Sequence, residues 1–224
     1  SVCSGVSAGA IAAAMYGSGM SAQDMRECFH QHLRFADYKE WTVPRESLMS
    51  LRKFRQMLRR WLPVQQLEDM KIPTIICATN IDKGVSTGFT TGDMATAVVA
   101  SCSIPVLFPP VHINGANYID GGVLRNLPAW AIKDKCDLLL GSNCNPLDRN
   151  YRHRRSLLAI ALRSYQLVMK ANALQDLELC DFIVQNRNLS QYSTFSVKEM
   201  DRIILEGYDA ACPVIEDIAN RHYR

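Results

Sequence analysis

The sequence lacks the features that mark several classes of protein. No apolar run approaches the 18 or more residues of a membrane-spanning helix. No repeat period or low-complexity linker divides the 224 residues, which excludes solenoids and tethered arrays. Neither sign of charge dominates, because 25 Lys and Arg stand against 22 Asp and Glu. A net charge of +3 is too small to predict a nucleic-acid partner.

Paired cysteines are also missing. None of the eight cysteines forms a C-x-x-C pair, so the closely spaced ligands of a zinc site are absent and no metal is predicted. Most of these cysteines lie in apolar stretches, which is typical of buried, reduced thiols. Because reduced thiols are usual in the cytosol, we expect a cytoplasmic location.

The composition is that of one globular domain. The chain is 48% hydrophobic and 21% charged, and it is long enough to bury one large core. We therefore expect a single domain over residues 1–224. Apolar periodicity and turn signals predict alternating strands and helices, which favours a three-layer α/β architecture. The predicted helices are 8–16, one capped by Ser21, 48–62, 93–103, 156–179 and 200–222, and Pro213 is expected to break or kink the last of them. The predicted strands are 72–79, 85–90, 137–141, 182–185 and a hairpin around Asn114-Gly115.

A G-x-S-x-G motif begins at Gly5 and ends at Gly9, with Ser7 at its centre. This pattern fits a nucleophile elbow, a tight strand-to-helix turn that exposes a serine hydroxyl. Small residues at the flanking positions avoid a collision between strand and helix. An alanine-rich helix follows directly, and its first amides, beginning with Ala8, favour negative charge at the serine.

A serine nucleophile needs a base, and Asp120 is the best candidate. It follows the apolar pair Tyr118-Ile119 and precedes two glycines, so partial desolvation would raise its basicity. The alternative is that Asp120 only caps a turn. Of the five histidines, His112 lies nearest the second motif. His153 and His222 lack an acid-then-loop setting. We expect the remaining four histidines to be surface or structural residues: His30, His32, His153 and His222.

Several stretches together resemble the patatin-like phospholipase family. The elbow with its small-residue helix and the distant Asp120-Gly121-Gly122 carry the likeness first. Three further segments are similar to the family's characteristic sequence, which extends the likeness over residues 4–128: 71–79, 100–111 and 126–128. Bacterial single-domain members are the most similar.

The resemblance implies both a fold and a chemistry. The fold would be a three-layer patatin-like α/β domain, with a central mixed and mostly parallel sheet between helices. Ser7 would attack a carboxylic ester of a lipid, with Asp120 as the base and an acyl-enzyme as intermediate. Phospholipase A, lysophospholipase and esterase activities all fit, and no cofactor is implied. The motif glycines would be Gly5, Gly9, Gly121 and Gly122, and the Ala8 amide would serve the oxyanion.

In one respect the sequence departs from the family pattern. The family has a strand and a glycine-rich loop, roughly G-G-G-x-R-G, before the elbow, and that loop supplies oxyanion amides. Here only six residues precede Ser7. We therefore expect an N-terminally incomplete domain with low activity by itself, because losing one oxyanion donor costs about 100- to 1000-fold in turnover.

A basic segment between the motifs predicts contact with a lipid surface. Residues 40–66 could form a helical lid, and four side chains within them suit a peripheral membrane interface: Arg55, Arg59, Arg60 and Trp61. A second basic group falls within 149–155. The alternative is that the helix packs its apolar stripe on the core and solvates its charges.

Two other functions remain open at this stage. A histidine-dependent α/β-hydrolase of soluble esters or thioesters would use a histidine such as His112. A lipid-binding or scaffolding protein would keep the fold without turnover. The sequence does not predict an oligomeric state.

Overall fold

The computed structural model describes residues 1–32, 40–41, 49–146, 156–192 and 199–222. Strands and helices alternate within these ranges. The strands are β1 (Cys3–Val6), β2 (Glu40–Trp41), β3 (Met49–Ser50), β4 (Thr74–Asn80), β5 (Val85–Phe89), β6 (Val111–Ile113), β7 (Ala116–Asp120), β8 (Leu140–Asn143) and β9 (Phe182–Gln185). The helices are α1 (Ala8–Gly17), α2 (Ala22–His32), α3 (Arg52–Trp61), α4 (Met94–Ser101), α5 (Leu157–Leu177) and α6 (Met200–His222).

The main sheet is built around β4, all of whose residues are buried. β1 runs parallel to β4, β5 and β7 pair with β4 antiparallel, and β6 pairs antiparallel with β7. Three of its five strands, β1, β4 and β6, therefore point the same way. The antiparallel neighbours follow from the short connections β4–β5 and β6–β7, because parallel neighbours need a long crossover. The predicted α/β class with a mixed sheet is confirmed.

Apolar side chains cover both faces of this sheet. Alternate residues of a strand point to opposite faces. Ile76 and Ala78 pack with α1, α3 and α4 on one face. Ile75 and Cys77 pack on the other face with the region of the 3-10 turn Pro128–Ala131, and α5 contacts that turn. The sheet thus lies between two layers of helices and turns.

Most predicted elements occur within a few residues of their expected bounds. The Asn114-Gly115 turn has φ of 49° and 81°, as a two-residue hairpin requires. Ser21 and Asp24 exchange the hydrogen bonds of a capping box at the start of α2. The helix predicted to start at residue 48 begins instead at Arg52. The apolar periodicity extends further, but Met49–Ser50 pairs with β2 as a strand.

Two other boundaries differ from expectation. The strand predicted at 137–141 is β8, shifted toward Asn143 by its parallel pairing with β9. α6 continues through Pro213 without interruption. The second basic group at 149–155, with His153, lies outside the described residues, as does part of the predicted lid.

Candidate active site

Ser7 lies at the sharp turn between β1 and α1. Its backbone has φ 53° and ψ −125°, a strained conformation for a residue with a side chain. The backbone N–H of Ser7 donates to Ser101 Oγ at 2.8 Å. The strain is therefore held by a specific contact, and the hydroxyl stands at the N-terminus of a helix.

The two glycines of the elbow have different surroundings. A Cβ on Gly5 would lie 2.3 Å from the carbonyl oxygen of Gly9 and 2.7 Å from Ala10 Cα, so α1 can cross β1 only if this residue is glycine. A Cβ on Gly9 would meet nothing within 4 Å. The expected steric reason thus holds at Gly5 and is wrong at Gly9, which lies exposed on the outer side of α1.

The sheet brings Asp120 to Ser7. β1 pairs with β4 as far as Val6↔Cys77, and β7 begins its pairing at Ala78↔Asp120. Because β5 occupies the other edge of β4 along this stretch, β1 and β7 lie end to end on one edge. The end of β1 and the end of β7 therefore meet beside two consecutive residues of β4.

A short hydrogen bond joins the two side chains. Ser7 Oγ donates to Asp120 Oδ2 at 2.6 Å, and the backbone N–H of Gly122 donates to Asp120 Oδ1 at 2.8 Å. Asp120 is fully buried, whereas Ser7 is partly exposed. Burial raises the pKa of Asp120 from 3.8 to about 6, against the opposing effect of the hydrogen bonds from Ser7 and Gly122 and of the nearby Tyr165 hydroxyl.

Both glycines after Asp120 are closely packed. A Cβ on Gly121 would lie 2.7 Å from the carbonyl oxygen of Cys77, and one on Gly122 would lie 2.9 Å from Met169 Sδ. These residues let the chain turn tightly against β4 and under α5. The Asp120 carboxylate is thereby fixed by its own backbone as well as by its hydrogen bonds.

The end of α4 holds both members of the pair, which sequence reasoning did not foresee. Ser101 Oγ accepts from the Ser7 N–H and donates to the Cys77 carbonyl at 2.6 Å. The Ser103 carbonyl accepts from the Asp120 N–H at 2.9 Å. In the sequence this segment stands out only by its resemblance to the family. The sequence feature that could have indicated this role is the position of Ser101 and Ser103, two serines among apolar residues at the end of a helix.

A buried ion pair fastens the loop that follows Asp120. Arg125 donates to both oxygens of Asp176 at 2.6 and 2.8 Å, and Asp176 is fully buried on α5. Asn172 Nδ2 donates to the Gly122 carbonyl at 2.8 Å. These residues also escaped the sequence analysis, since their partners are about 50 residues away along the chain.

The other predicted site residues are placed as follows. Ala8 is the exposed first residue of α1, where helix geometry leaves a backbone N–H without an intrahelical acceptor. His112 is exposed on β6, and its Nδ1 lies 3.2 Å from Asn117 Oδ1. Among the described residues, Ser7 Oγ has its hydrogen bond to Asp120 and none to a histidine.

The basic helix α3 buries its apolar side. Phe54, Met57 and Leu58 are buried in the core, and Trp61 packs against it. Arg60 is exposed, Arg59 pairs with Asp93 at 3.2 Å, and the Arg55 Nε is buried. The charged side of the helix faces solvent, while its apolar side is buried against the core.

Searches for two other kinds of site gave no candidates in the parts of the chain that the structure describes. No helix there is long and apolar enough to cross a membrane. No group of three or more metal-ligating side chains occurs there either. All eight cysteines lie in these parts and are free thiols.

Comparison with known proteins gives consistent matches. The family model of patatin-like phospholipases matches residues 1–132. An uncharacterised NTE family protein of Mycobacterium tuberculosis is 30% identical over 126 residues, which make up 56% of this chain and 22% of that protein. Lysophospholipase NTE1 of Meyerozyma guilliermondii is 31% identical over 94 residues, 42% of this chain and 6% of that protein. The chain thus spans about a fifth or less of the length of these relatives.

The matched range contains the elbow, the end of α4 and Asp120 with its glycines. It covers more than half of the chain, and the fold described above is the α/β architecture expected from the resemblance. The predicted class, lipid esterases and hydrolases, agrees with this match. The chain belongs to the patatin-like phospholipase family.

Proposed function

We propose that this chain is a serine acyl hydrolase that cleaves carboxylic ester bonds of lipids, with Ser7 as nucleophile and Asp120 as general base. The observation that carries the proposal is the 2.6 Å hydrogen bond from a partly exposed serine hydroxyl to a fully buried carboxylate. The names of the family and of the lysophospholipase relative support a lipid substrate of the phospholipase A, lysophospholipase or esterase type.

The reaction follows from the positions of these two side chains. Ser7 Oγ attacks the ester carbonyl carbon while its proton passes to Asp120 Oδ2. The tetrahedral intermediate collapses, the ester C–O bond breaks, and the leaving alkoxide takes the proton from Asp120. Water then attacks the acyl-enzyme, giving one proton to Asp120, and the fatty acid leaves as the proton returns to Ser7 Oγ.

The environment of Asp120 suits a base at neutral pH. A carboxylate with an ordinary pKa near 4 is a weak base, whereas a pKa of about 6 leaves the group ionised at pH 7 and more basic. The helix N-terminus at Ala8 would favour the developing oxyanion. Eight free thiols favour a reducing compartment such as the cytoplasm for this chemistry.

Labelling with a fluorophosphonate, which phosphonylates activated serines, tests the proposal. We expect an adduct on Ser7, located by digestion and mass spectrometry, and a labelling rate at least 100-fold lower in Asp120→Asn (about the effect of losing a general base). Ser4→Ala is the matched control, because Ser4 lies on the same strand but its hydroxyl donates to the Pro128 carbonyl. That variant should label like the wild type.

The alternative functions predict different labelling. A lipid-binding or scaffolding protein would bind lipid vesicles with no adduct on Ser7. A histidine-dependent hydrolase would lose labelling in His112→Ala and keep it in Asp120→Asn. Either pattern would overturn the proposed dyad.

We further propose that the charged side of α3 attracts anionic lipid surfaces. The support is electrostatic, because the apolar side of the helix is already buried and cannot insert. Arg60→Glu should weaken binding to vesicles that contain phosphatidylserine, and binding to neutral phosphatidylcholine vesicles should stay as it is. Arg60 is the better choice than Arg59, whose pair with Asp93 joins α3 to the start of α4. Equal binding of wild type and Arg60→Glu would exclude this contact.

A further inference from the structure

One buried hydroxyl near the proposed dyad makes no hydrogen bond of ordinary geometry with the described residues, although it lies near enough to Asp120 to lower the pKa of that carboxyl. It belongs to Tyr165 on α5. A Cβ on Gly122 would lie 2.8 Å from this hydroxyl oxygen, so the group sits directly over the loop that follows Asp120. Buried hydroxyls are nearly always paired, because leaving one unpaired costs free energy. The Tyr165 hydroxyl therefore calls for an explanation.

The face of α5 that carries Tyr165 contacts the loop that follows Asp120. Residues 165, 169, 172 and 176 are spaced at three and four along the helix and so form one stripe. Met169 packs over Gly122, Asn172 donates to the Gly122 carbonyl, and Asp176 holds Arg125. The Arg125–Asp176 ion pair holds the C-terminal part of this stripe against the loop. Tyr165, at the N-terminal end of the same stripe, therefore has a defined position.

Asp120 has room for another donor. Its two oxygens accept from Ser7 and from the Gly122 N–H, and a carboxylate offers about four lone-pair sites. Burial, and then the negative charge of Asp120, raise the pKa of Tyr165. The phenol therefore keeps its proton and can act only as a neutral donor toward the carboxylate.

The other titratable groups around Asp120 are neutral thiols. Burial, and then the charge of Asp120, raise the pKa of Cys102 at the end of α4 well above its usual range. Burial raises the pKa of Cys77 on β4 to about 12, with a further contribution from Asp176. The Asp176 charge itself is matched by Arg125. None of these groups supplies a positive charge that would stabilise ionised Asp120.

We propose that Tyr165 is a positioning residue for the base: its hydroxyl donates a hydrogen bond to the Asp120 carboxylate and keeps it ionised until Ser7 transfers its proton. The proposal rests on the proposed Ser7–Asp120 chemistry. The hydrogen bond is strongest while Asp120 is charged and weakens once the carboxyl is protonated. Without this donor, the buried carboxyl would hold a proton at higher pH, and less of the protein would be ready to react at neutrality.

The test is the rate of fluorophosphonate labelling at Ser7 between pH 5 and pH 9. In Tyr165→Phe, the acid limb of the profile should move upward by about one pH unit, since a hydrogen bond to a charged group changes a pKa by roughly that amount. The plateau at high pH should stay near the wild-type rate. Met169→Leu is the matched control, because it alters packing on the same stripe without removing a donor, and its limb should not move.

Three outcomes would count against the proposal or its basis. An unmoved limb in Tyr165→Phe overturns the role of Tyr165, and so does a lowered plateau without a shift, which would mean only a packing role. Absence of a Ser7 adduct in the wild type overturns the proposed function instead. If Tyr165→Phe does not fold, 3-fluorotyrosine at this position keeps the shape and is a stronger donor. It should move the limb to lower pH.

Discussion

Asp120→Asn should make the protein more stable at neutral pH while it abolishes labelling of Ser7. The carboxylate is fully buried, and the polar groups around its oxygens do not offset the loss of hydration, so its pKa rises from 3.8 to about 6. Asparagine has nearly the same shape and carries no charge. The substitution thus removes the cost of burying an anion and keeps the packing.

The sign and size of the effect follow from proton linkage. Below about pH 3 the group is protonated in both the folded and the unfolded state, so it contributes no pH dependence. Between pH 4 and pH 6 the unfolded chain loses the proton and the folded chain keeps it, so stability falls as pH rises. A difference of about two pKa units at about 1.4 kcal/mol each gives a cost of about 3 kcal/mol above pH 7.

Urea unfolding of wild type and Asp120→Asn from pH 4 to pH 8 measures this difference. The stability gained by the variant should grow with pH by about 3 kcal/mol and then level off. Parallel curves for the two proteins would refute the buried-anion explanation. Asp93→Asn is the control of opposite sign. Asp93 is partly desolvated, but hydrogen bonds from Thr96 lower its pKa. Asp93→Asn should therefore be less stable to unfolding than the wild type by a constant amount above pH 5, and this difference should shrink below pH 4.

Four further single substitutions test the framework of the site. Gly5→Ala should lower the free energy of unfolding by about 3 kcal/mol, because the new methyl would collide with backbone. Gly9→Ala should raise the free energy of unfolding by up to about 1 kcal/mol, because the new methyl group would lie in open space on a helix. Equal effects of the two substitutions on the urea midpoint would contradict this difference. Arg125→Met should cost about 3–5 kcal/mol by leaving Asp176 buried and unpaired, and adding Asp176→Leu should recover most of it. Ser101→Ala should slow fluorophosphonate labelling about tenfold, since the Ser7 N–H loses its acceptor. An unchanged rate would mean that this contact does not hold the elbow.

Local signals account for what could be predicted. A two-residue Asn-Gly turn and the apolar run of β4 each specify their own conformation, so the hairpin and the central strand were predictable. The helical periodicity around residue 48 gave a wrong prediction because Met49–Ser50 pairs antiparallel with Glu40–Trp41 as a strand. This strand pairing overrode the helical pattern there.

The supports of the candidate site were unpredictable because their partners lie far away along the chain. Ser101 and Asp176 look like ordinary polar residues in their own helices. Their significance depends on partners such as Ser7, 94 residues away, and Arg125, 51 residues away. One sequence shows which residues alternate with apolar neighbours, but it does not show which buried donor meets which acceptor across the fold.

The end-to-end placement of β1 and β7 on β4 has a consequence for biosynthesis. Ser7 and Asp120 are 113 residues apart along the chain. A ribosome therefore exposes the serine long before the aspartate exists, and under the proposed dyad the hydroxyl stays unreactive through that interval. Closing these long loops is slow compared with forming the local helices. Reactivity toward a fluorophosphonate during synthesis or refolding would thus appear only when the β6–β7 hairpin docks beside β4. The site would then report completion of the sheet, and a chain trapped before that step would present no active hydrolase to the lipids around it.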